Sequence, residues 1–272
     1  MASITRENII TALEARGFQA QLADIEKNGV ICKGIQFCIK PVAPVIYTDE
    51  IIKEAEAKGL SIDAVTDSII NIYEAHKNVN IDPVELLTSD YIMDHVKIGL
   101  QRKTGEKIIK RTCPLDENIE EYLYIIIDLG EGIGSAKVKP DLLKAAGIDL
   151  GDIWTRAEEN TFKDITVEDM SVVLRAFGVD TPENSTGMYV ISNHERSRGA
   201  AAILNKKALA GIAKKHGSKK LVVIPSSIHE CIVLPYVESY NIDDICNMVI
   251  EINKAEVDPT EQLADRAYIV EV

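Results

Sequence analysis

The sequence predicts an α+β fold with a mixed, mainly antiparallel sheet and packed helices. Short β-prone runs lie between amphipathic helical segments, and some neighbouring strands are close enough for hairpins while others are separated by a whole helix. A smaller N-terminal α/β part therefore precedes a larger C-terminal α+β part. The polar segment 104–121 divides them into regions 1–110 and 111–272, and one continuous domain is the alternative.

The composition is that of an ordinary globular protein with an acidic balance. The chain of 272 residues is 46% apolar and 27% charged, and its formal net charge is −13. Direct binding to nucleic acid or to an anionic membrane needs excess Lys and Arg, so this balance argues against both. Five cysteines without a C-x-x-C pair are typical of free thiols in a reducing compartment. We expect a cytoplasmic protein, since no signal pattern or membrane-length apolar run occurs.

The N-terminal region is predicted to hold one helix, two or three strands and then a helical block. Residues 5–16 carry an apolar helical stripe that Gly17 ends. Residues 30–40 alternate as a strand, in which Gly34 indicates a bulge. The other expected elements are a short strand over 45–47 and helices over 48–58, 61–76 and 82–103.

The C-terminal region begins with residues 122–128, the most β-prone run of the chain. The glycines Gly130, Gly132 and Gly134 follow it. A dinucleotide-binding loop needs Gly or Ala at the position of Ser135, so a hairpin turn explains them better. The remaining expected elements are a strand over 135–138, helices over 140–146, 150–162 and 167–177, a strand from Met188, a helix over 198–216, strands over 221–224 and 228–234, a helix over 242–254 and a strand over 267–271.

Two polar turns follow apolar strands and carry the candidate functional residues. The first turn precedes a run of Gly and Ala, and helix N-termini with small residues bind anions. We therefore predict a surface for a protein partner or a small anionic ligand, with no metal or cofactor. In the alternative interpretation the arginines pair with surface carboxylates and the other residues support the turns. The candidate residues are Asn193, Arg196, Arg198, Ser226, Ser227 and His229.

Catalysis at the second turn is the alternative, and whether the protein is an enzyme stays open. Ser227 and His229 share one face of the predicted strand, but Cα atoms two residues apart lie about 6.6 Å from each other, which suits a nucleophile–base pair poorly. Glu230 points to the opposite face, and Val233 stands where a zinc motif needs a second histidine. The hypotheses are a binding or interaction protein, a small-molecule or phosphoester hydrolase using His229, and an acidic inhibitor of a nucleic-acid enzyme.

Four segments together resemble one bacterial family without an assigned function. They are Met188-Tyr-Val-Ile-Ser-Asn, Gly199-Ala-Ala-Ala-Ile-Leu, Ile224-Pro-Ser-Ser-Ile-His-Glu and Trp154-x-x-Ala-x-x-Asn-Thr, of which the Pro-Ser-Ser-x-His-Glu element is fairly specific. The resemblance covers nearly the whole chain. It implies a single α+β protein of a family frequent in anaerobic gram-positive bacteria and near mobile elements, which suggests a mobile-element or host-interaction role. It implies no catalytic residue.

Overall fold

A computed structural model describes residues 3–38, 45–76, 86–128, 133–182 and 186–272 of the chain. The chain divides into two compact units, one of Met1–Pro83 and Asp128–Gly132 and the other of Val84–Ile127 and Ile133–Val272. This division falls earlier than the boundary expected near residue 110, because residues 96–102 pair with the strand that begins at Asp116. The α+β class is confirmed, and the strands are distributed over three sheets.

The first unit packs helices against a three-stranded antiparallel sheet of order β1–β2–β3. Its elements are α1 (Arg6–Ala15), β1 (Ala20–Lys27), β2 (Val30–Phe37), β3 (Val45–Tyr47), α2 (Asp49–Lys58) and α3 (Ile62–His76). The buried core joins one face of the sheet to α1 and α3, and it includes Ile9, Leu13, Ile35, Phe37 and Ile69.

Two features of the first unit differ from the sequence-based prediction. Strand β1 was not predicted, because charged residues interrupt its apolar alternation. Gly34 does not mark a bulge, since its pairing with both neighbouring strands is continuous. A Cβ at Gly34 would lie 2.5 Å from Val45 Cγ1 and 2.8 Å from the Ile46 carbonyl oxygen. Glycine therefore permits the close approach of β3.

The second unit contains two sheets and most of the helices. Its elements are α4 (Ser89–His95), β4 (Val96–Arg102), β5 (Lys110–Cys113), β6 (Asp116–Asp128), β7 (Ile133–Lys137), α5 (Pro140–Ala146), α6 (Leu150–Lys163), β8 (Ile165–Asp169), α7 (Met170–Ala176), β9 (Tyr189–Asn193), a 3₁₀ helix (Gly199–Leu204), α8 (Lys206–His216), β10 (Lys220–Ile224), β11 (Cys231–Pro235), α9 (Ile242–Glu256) and β12 (Tyr268–Glu271).

One core joins the two sheets of the second unit. The four-stranded sheet has the order β4–β6–β5, with β7 also paired with β6, and the five-stranded sheet has the order β12–β10–β11–β9–β8. Buried residues of both sheets, such as Leu123 and Ile191, belong to the same apolar cluster as Ile153 of α6. The 3₁₀ helix contributes its buried alanines to this cluster, so it lies inside the unit.

Three helix predictions in the second unit are wrong in part. The helix expected over 82–103 ends at His95 and continues as β4, whose residues are buried on both faces. Val96, Ile98 and Leu100 alternate with polar or small residues, as in a strand, but Ile92, Val96 and Leu100 are also spaced four residues apart, which fits a helix. Strand β8 precedes α7 where one helix over 167–177 was expected. The helix expected over 198–216 is interrupted at Asn205, whose side chain accepts a hydrogen bond from the Ala208 amide and caps α8.

Segment 104–121, expected as a polar boundary, contains β5 and the first half of β6. Gly130 and Gly132 lie outside the described residues, and the strand beyond them, β7, pairs with β6 as expected. In the described part of the chain, no helix has the length and apolar character needed to cross a membrane.

Candidate functional site

The two polar turns lie against each other, because one follows β9 and the other precedes β11 and these strands are neighbours. The Arg198 amide donates a hydrogen bond to Nδ1 of His229 at 3.2 Å. The Ser192 hydroxyl donates to the His229 carbonyl oxygen at 2.8 Å, and the Ala200 amide donates to the Ile228 carbonyl oxygen at 3.2 Å. Two segments about thirty residues apart along the chain thus form one continuous site.

Gly199 allows this close contact between the turns. A Cβ at this position would lie 2.3 Å from Ser192 Oγ, 2.6 Å from the Asn193 amide nitrogen and 2.7 Å from the His229 carbonyl oxygen. The preceding Arg198 has a φ of 53°, in the left-handed region that costs a non-glycine residue on the order of 1 kcal/mol. The packing around Gly199 therefore holds Arg198 in an unfavourable backbone conformation, and such strain clusters at functional sites.

His229 and Ser227 are engaged with their neighbours. Because Nδ1 of His229 accepts a hydrogen bond, the neutral ring carries its proton on Nε2, which lies 3.3 Å from Oε1 of Glu261. The Ser227 hydroxyl accepts from the His229 amide at 3.0 Å and also hydrogen-bonds Glu230. Strand β11 begins only at Cys231, so the alternation expected over 228–234 does not reach His229. This arrangement does not form a nucleophile–base pair.

Three of the other four candidates have structural contacts of their own. The Asn193 side-chain amide donates to the Ser197 carbonyl oxygen at 2.8 Å and accepts from the Ser197 amide at 3.1 Å, which closes the first turn. Arg196 forms an ion pair with Glu168. The Ser226 carbonyl oxygen accepts a backbone hydrogen bond at 3.0 Å from the segment that precedes β12.

Arg198 differs from Arg196 in the surroundings of its guanidinium group. Its Cζ lies 5.8 Å from the centre of the Tyr124 ring, and the group also hydrogen-bonds the Tyr122 side chain. Among the described residues, no carboxylate lies within ion-pair distance of Arg198, whereas Arg196 is paired. The charge of Arg198 is therefore left without a neutralising partner of the described chain.

The Arg198 side chain borders a cleft of about 300 Å³ between the first turn and the four-stranded sheet. Lys97 of β4 also lines this cleft, but it forms an ion pair with Asp164. His194 contacts the same carboxylate at 2.7 Å. Burial acts to raise the pKa of Asp164, but the hydrogen bonds from Lys97 and His194 lower it below its ordinary value of 3.8, so the carboxylate balances the lysine charge. The described lining residues are Lys97, Tyr124, Ile126, Ile133, Gly134, Ser135, Asn193, Glu195, Ser197 and Arg198.

Two buried tyrosines of β6 form the floor beneath Arg198. Burial raises the pKa of Tyr122 and of Tyr124, although the nearby Arg198 charge lowers both. The hydroxyl groups are therefore neutral and can donate or accept hydrogen bonds. Gly99 of β4 makes room for the Tyr122 ring, since a Cβ there would lie 2.6 Å from Tyr122 Cζ. The cleft thus combines one unbalanced cation with the Tyr124 phenol, while Tyr122, which is not a lining residue, hydrogen-bonds the Arg198 side chain.

Sequence reasoning missed the residues that the four-stranded sheet contributes. Alternation along β6 places Tyr122, Tyr124 and Ile126 on one face, and this pattern is visible in the sequence. Lys97 was missed because its segment was predicted as a helix. Its neighbour on β6 is Tyr124, which strand pairing alone brings to it.

Comparison with known protein families gives a match over nearly the whole chain. Residues 3–271 fit a family model described as "Family of unknown function (DUF5688)". No curated protein and no solved structure matches the chain. The match confirms the resemblance to a family without an assigned function. Within the described residues, no group of three or more His, Cys, Asp or Glu side chains is arranged to hold a metal ion.

Proposed function

The chain belongs to DUF5688, a family of unknown function, and we propose that it is a binding protein that holds a small organic monocarboxylate in the cleft at Arg198. The observation that carries this proposal is the Arg198 guanidinium, which has no carboxylate partner among the described residues and faces two buried tyrosines. A half-buried charge without a partner is costly, so a bound anion would relieve that cost.

The charge balance of the cleft favours a monoanion. Lys97 is neutralised by Asp164, which leaves one guanidinium to be matched. A guanidinium binds a carboxylate through two parallel N–H···O bonds, and its fork geometry suits that group. A phosphate dianion would need a second free cation. Glu195, a carboxylate among the described lining residues, is exposed and has no ion pair with Arg198.

The shape of the cleft favours a compact ligand with an apolar body. Ile126, Ile133 and the ring of Tyr124 supply apolar walls beside the cation. Its volume of about 300 Å³ lies at the lower end of the range of roughly 300–1,000 Å³ for small-molecule sites. Benzoate and short branched fatty acids have the required size and a single negative charge.

Titration calorimetry with benzoate, butyrate and inorganic phosphate tests this proposal. The test variant is Arg198→Asn, and the control is Arg196→Asn. Both arginines have positive φ, at 53° and 48°, and Asn tolerates this conformation. We expect Arg198→Asn to weaken benzoate binding about tenfold or more, because hydrogen bonds to charged groups contribute roughly 1.5–3 kcal/mol. We expect Arg196→Asn to bind benzoate like the unaltered protein.

Two results would contradict the proposal. One is undiminished benzoate binding by an Arg198→Asn protein whose circular dichroism shows an intact fold. The other is a clear preference of the unaltered protein for phosphate over both carboxylates.

The alternative functions stay hypotheses with separate tests. A hydrolase using His229 would require one ring nitrogen to leave its present partner, and loss of ester or phosphoester turnover in His229→Ala would support it. An acidic inhibitor of a nucleic-acid enzyme would show association that weakens steeply with salt. A cytoplasmic location belongs to our proposal, and the buried thiols of Cys113 and Cys231 agree with a reducing compartment.

A further inference from the structure

Strand β12 forms one end of the five-stranded sheet, and among the described strands it pairs only with β10. An apolar groove of about 830 Å³ surrounds it. An edge strand with unpaired backbone groups is a template for pairing with another chain. The chemistry of this groove indicates what kind of chain would fit.

The pairing pattern shows which backbone groups of β12 face outward. The Val272 amide donates to the Lys219 carbonyl oxygen at 3.1 Å, so Val272 belongs to a hydrogen-bonded pair with β10. Hydrogen-bonded pairs alternate with non-hydrogen-bonded pairs along an antiparallel ladder. Val270 and Tyr268 are therefore the next residues whose backbone N–H and C=O groups face β10. Ile269 and Glu271 therefore direct their N–H and C=O groups away from β10. An added strand would find donors and acceptors at these two residues.

Apolar walls border the edge strand on both of its faces. Val270 and Tyr268 pack on the side of the main core, where the groove continues to Leu209 of α8. Ile269 points to the opposite face, and Ile242 of α9 is also among the residues that line the groove. Side chains of an added strand alternate between the two faces, so apolar side chains would be accommodated at successive positions.

The charged residues of the groove favour an acidic partner. Lys206 and Arg266 line it, and neither has a carboxylate within ion-pair distance in the described part of the chain. Glu271, the acidic residue among the described lining residues, already pairs with Lys220 at 3.4 Å. Lys206 is thus free to attract a carboxylate, and Arg266, whose charge also acts on Asp116, adds a second positive charge, although the whole chain has a net charge of −13.

We propose that a partner protein adds an extended segment to β12 as a further strand, with a run of β-branched residues between acidic residues. The main-chain groups of Ile269 and Glu271 would hydrogen-bond the segment. The apolar walls would take its side chains, and Lys206 and Arg266 would attract its flanking carboxylates. This surface uses none of the residues of the Arg198 cleft.

The probe is an acetylated and amidated peptide of about eight residues, roughly the length of an ordinary strand. It carries alternating Val and Ile with Glu at both ends, and a second peptide carries Lys at the ends. We expect the full chain to bind the Glu peptide at least about tenfold more tightly than the Lys peptide, measured by fluorescence anisotropy. Hydrogen exchange should show new protection at the amides of Ile269 and Glu271.

Ile269→Pro is the test variant, because it removes an outward-facing amide while leaving the bonds to β10 in place. We expect it to lose peptide binding and to keep benzoate binding. Ile269→Lys provides a second variant should the proline disturb the fold. The double variant Lys206→Glu with Arg266→Glu should reverse the preference toward the Lys peptide. Lys214 is exposed on α8, the helix that carries Lys206, but lies outside the groove. Lys214→Glu should leave the affinity for both peptides unchanged.

Four outcomes would overturn the proposal. The first two are a failure of the unaltered chain to bind the Glu peptide and undiminished binding of that peptide by both folded Ile269 variants. The third is a dimer of the chain, detected by light scattering, that Ile269→Pro dissociates. The fourth is displacement of the peptide by decanoate, with an affinity for decanoate that Ile269→Pro does not alter. The third outcome would assign the edge to a second copy of the chain, and the fourth would assign the groove to a lipid.

Discussion

Arg196 and Arg198 are two residues apart, yet their side chains have different partners. Both have positive φ, but Arg196 pairs with Glu168 while Arg198 lies over Tyr124. Their identical chemistry made them equal candidates in the sequence. The backbone conformation of each residue and the strand that it faces distinguish the surface ion pair of Arg196 from the proposed binding group of Arg198.

His229 acts at the residue scale as the link between the two turns. In His229→Ala the Arg198 amide loses its acceptor, and an unsatisfied buried donor costs about 1–3 kcal/mol. In His229→Asn the side-chain oxygen lies close to the former position of Nδ1, so we expect a smaller loss. Urea denaturation of both variants measures the free energy of unfolding. Equal losses would show that the imidazole packs without supporting the turn.

The pH dependence of stability is predicted from Glu230. Burial raises the pKa of this carboxyl above its ordinary value of 4.5, although His229 and Arg196 lower it. The folded state therefore binds the proton more tightly than the unfolded state, and this carboxyl disfavours folding at pH values above its folded pKa. We expect Glu230→Gln to be more stable than the unaltered protein at pH 7. The difference in the free energy of unfolding between the variant and the unaltered protein should shrink as the pH falls through the folded pKa of Glu230 toward 4.5.

Urea denaturation at a series of pH values checks this prediction. A variant that is less stable than the unaltered protein at pH 7, with a gap that narrows on acidification, would mean that the charged carboxylate stabilises the fold. That result would reverse the sign of the pKa shift.

At the scale of elements, two glycines with opposite surroundings make a matched pair. Gly199→Ala would force a Cβ to within 2.3 Å of Ser192 Oγ, and overpacking of this kind costs about 1–3 kcal/mol or more. At Gly211, within α8, a Cβ would meet no atom within 4 Å outside the backbone of its own helix. Gly211→Ala should stabilise the helix by up to about 1 kcal/mol. The midpoint temperature of thermal unfolding should therefore fall for Gly199→Ala and rise for Gly211→Ala. A Gly199→Ala variant with an unchanged midpoint would contradict the close contact between the turns.

Element prediction succeeded where a local signal ends a helix and failed where the apolar residues of a segment fit both helical and strand spacing. Gly59 and Gly217, with φ of 64° and 62°, end α2 and α8 directly after residues 58 and 216, where the predicted helices end. Strand β4 was mistaken for helix because Ile92, Val96 and Leu100 are spaced four residues apart, which fits a helix. The competing alternation of Val96, Ile98 and Leu100 belongs to the strand that forms.

At the scale of the whole molecule, two separate apolar clusters correspond to the two units. One contains buried residues between Ile4 and Ile69, and the other contains residues from Ile92 onward. The lining residues of the Arg198 cleft all belong to the second unit. We expect a fragment of residues 84–272 to fold cooperatively and to bind benzoate like the full chain. Circular dichroism, thermal melting and calorimetry test this, and a fragment without a cooperative transition would contradict it.

The sequence by itself determined the α+β class, the glycine stops of the helices, the family and the presence of polar turns beside Asn193 and Ser227. These features rest on periodicity, turn chemistry and motif, which are local. Only the tertiary structure decided that Arg198 faces Tyr122 and Tyr124 and that Lys97 joins them. Strand pairing between distant segments and the backbone angle at Arg198 set those positions, and neither is encoded in the spacing of neighbouring residues.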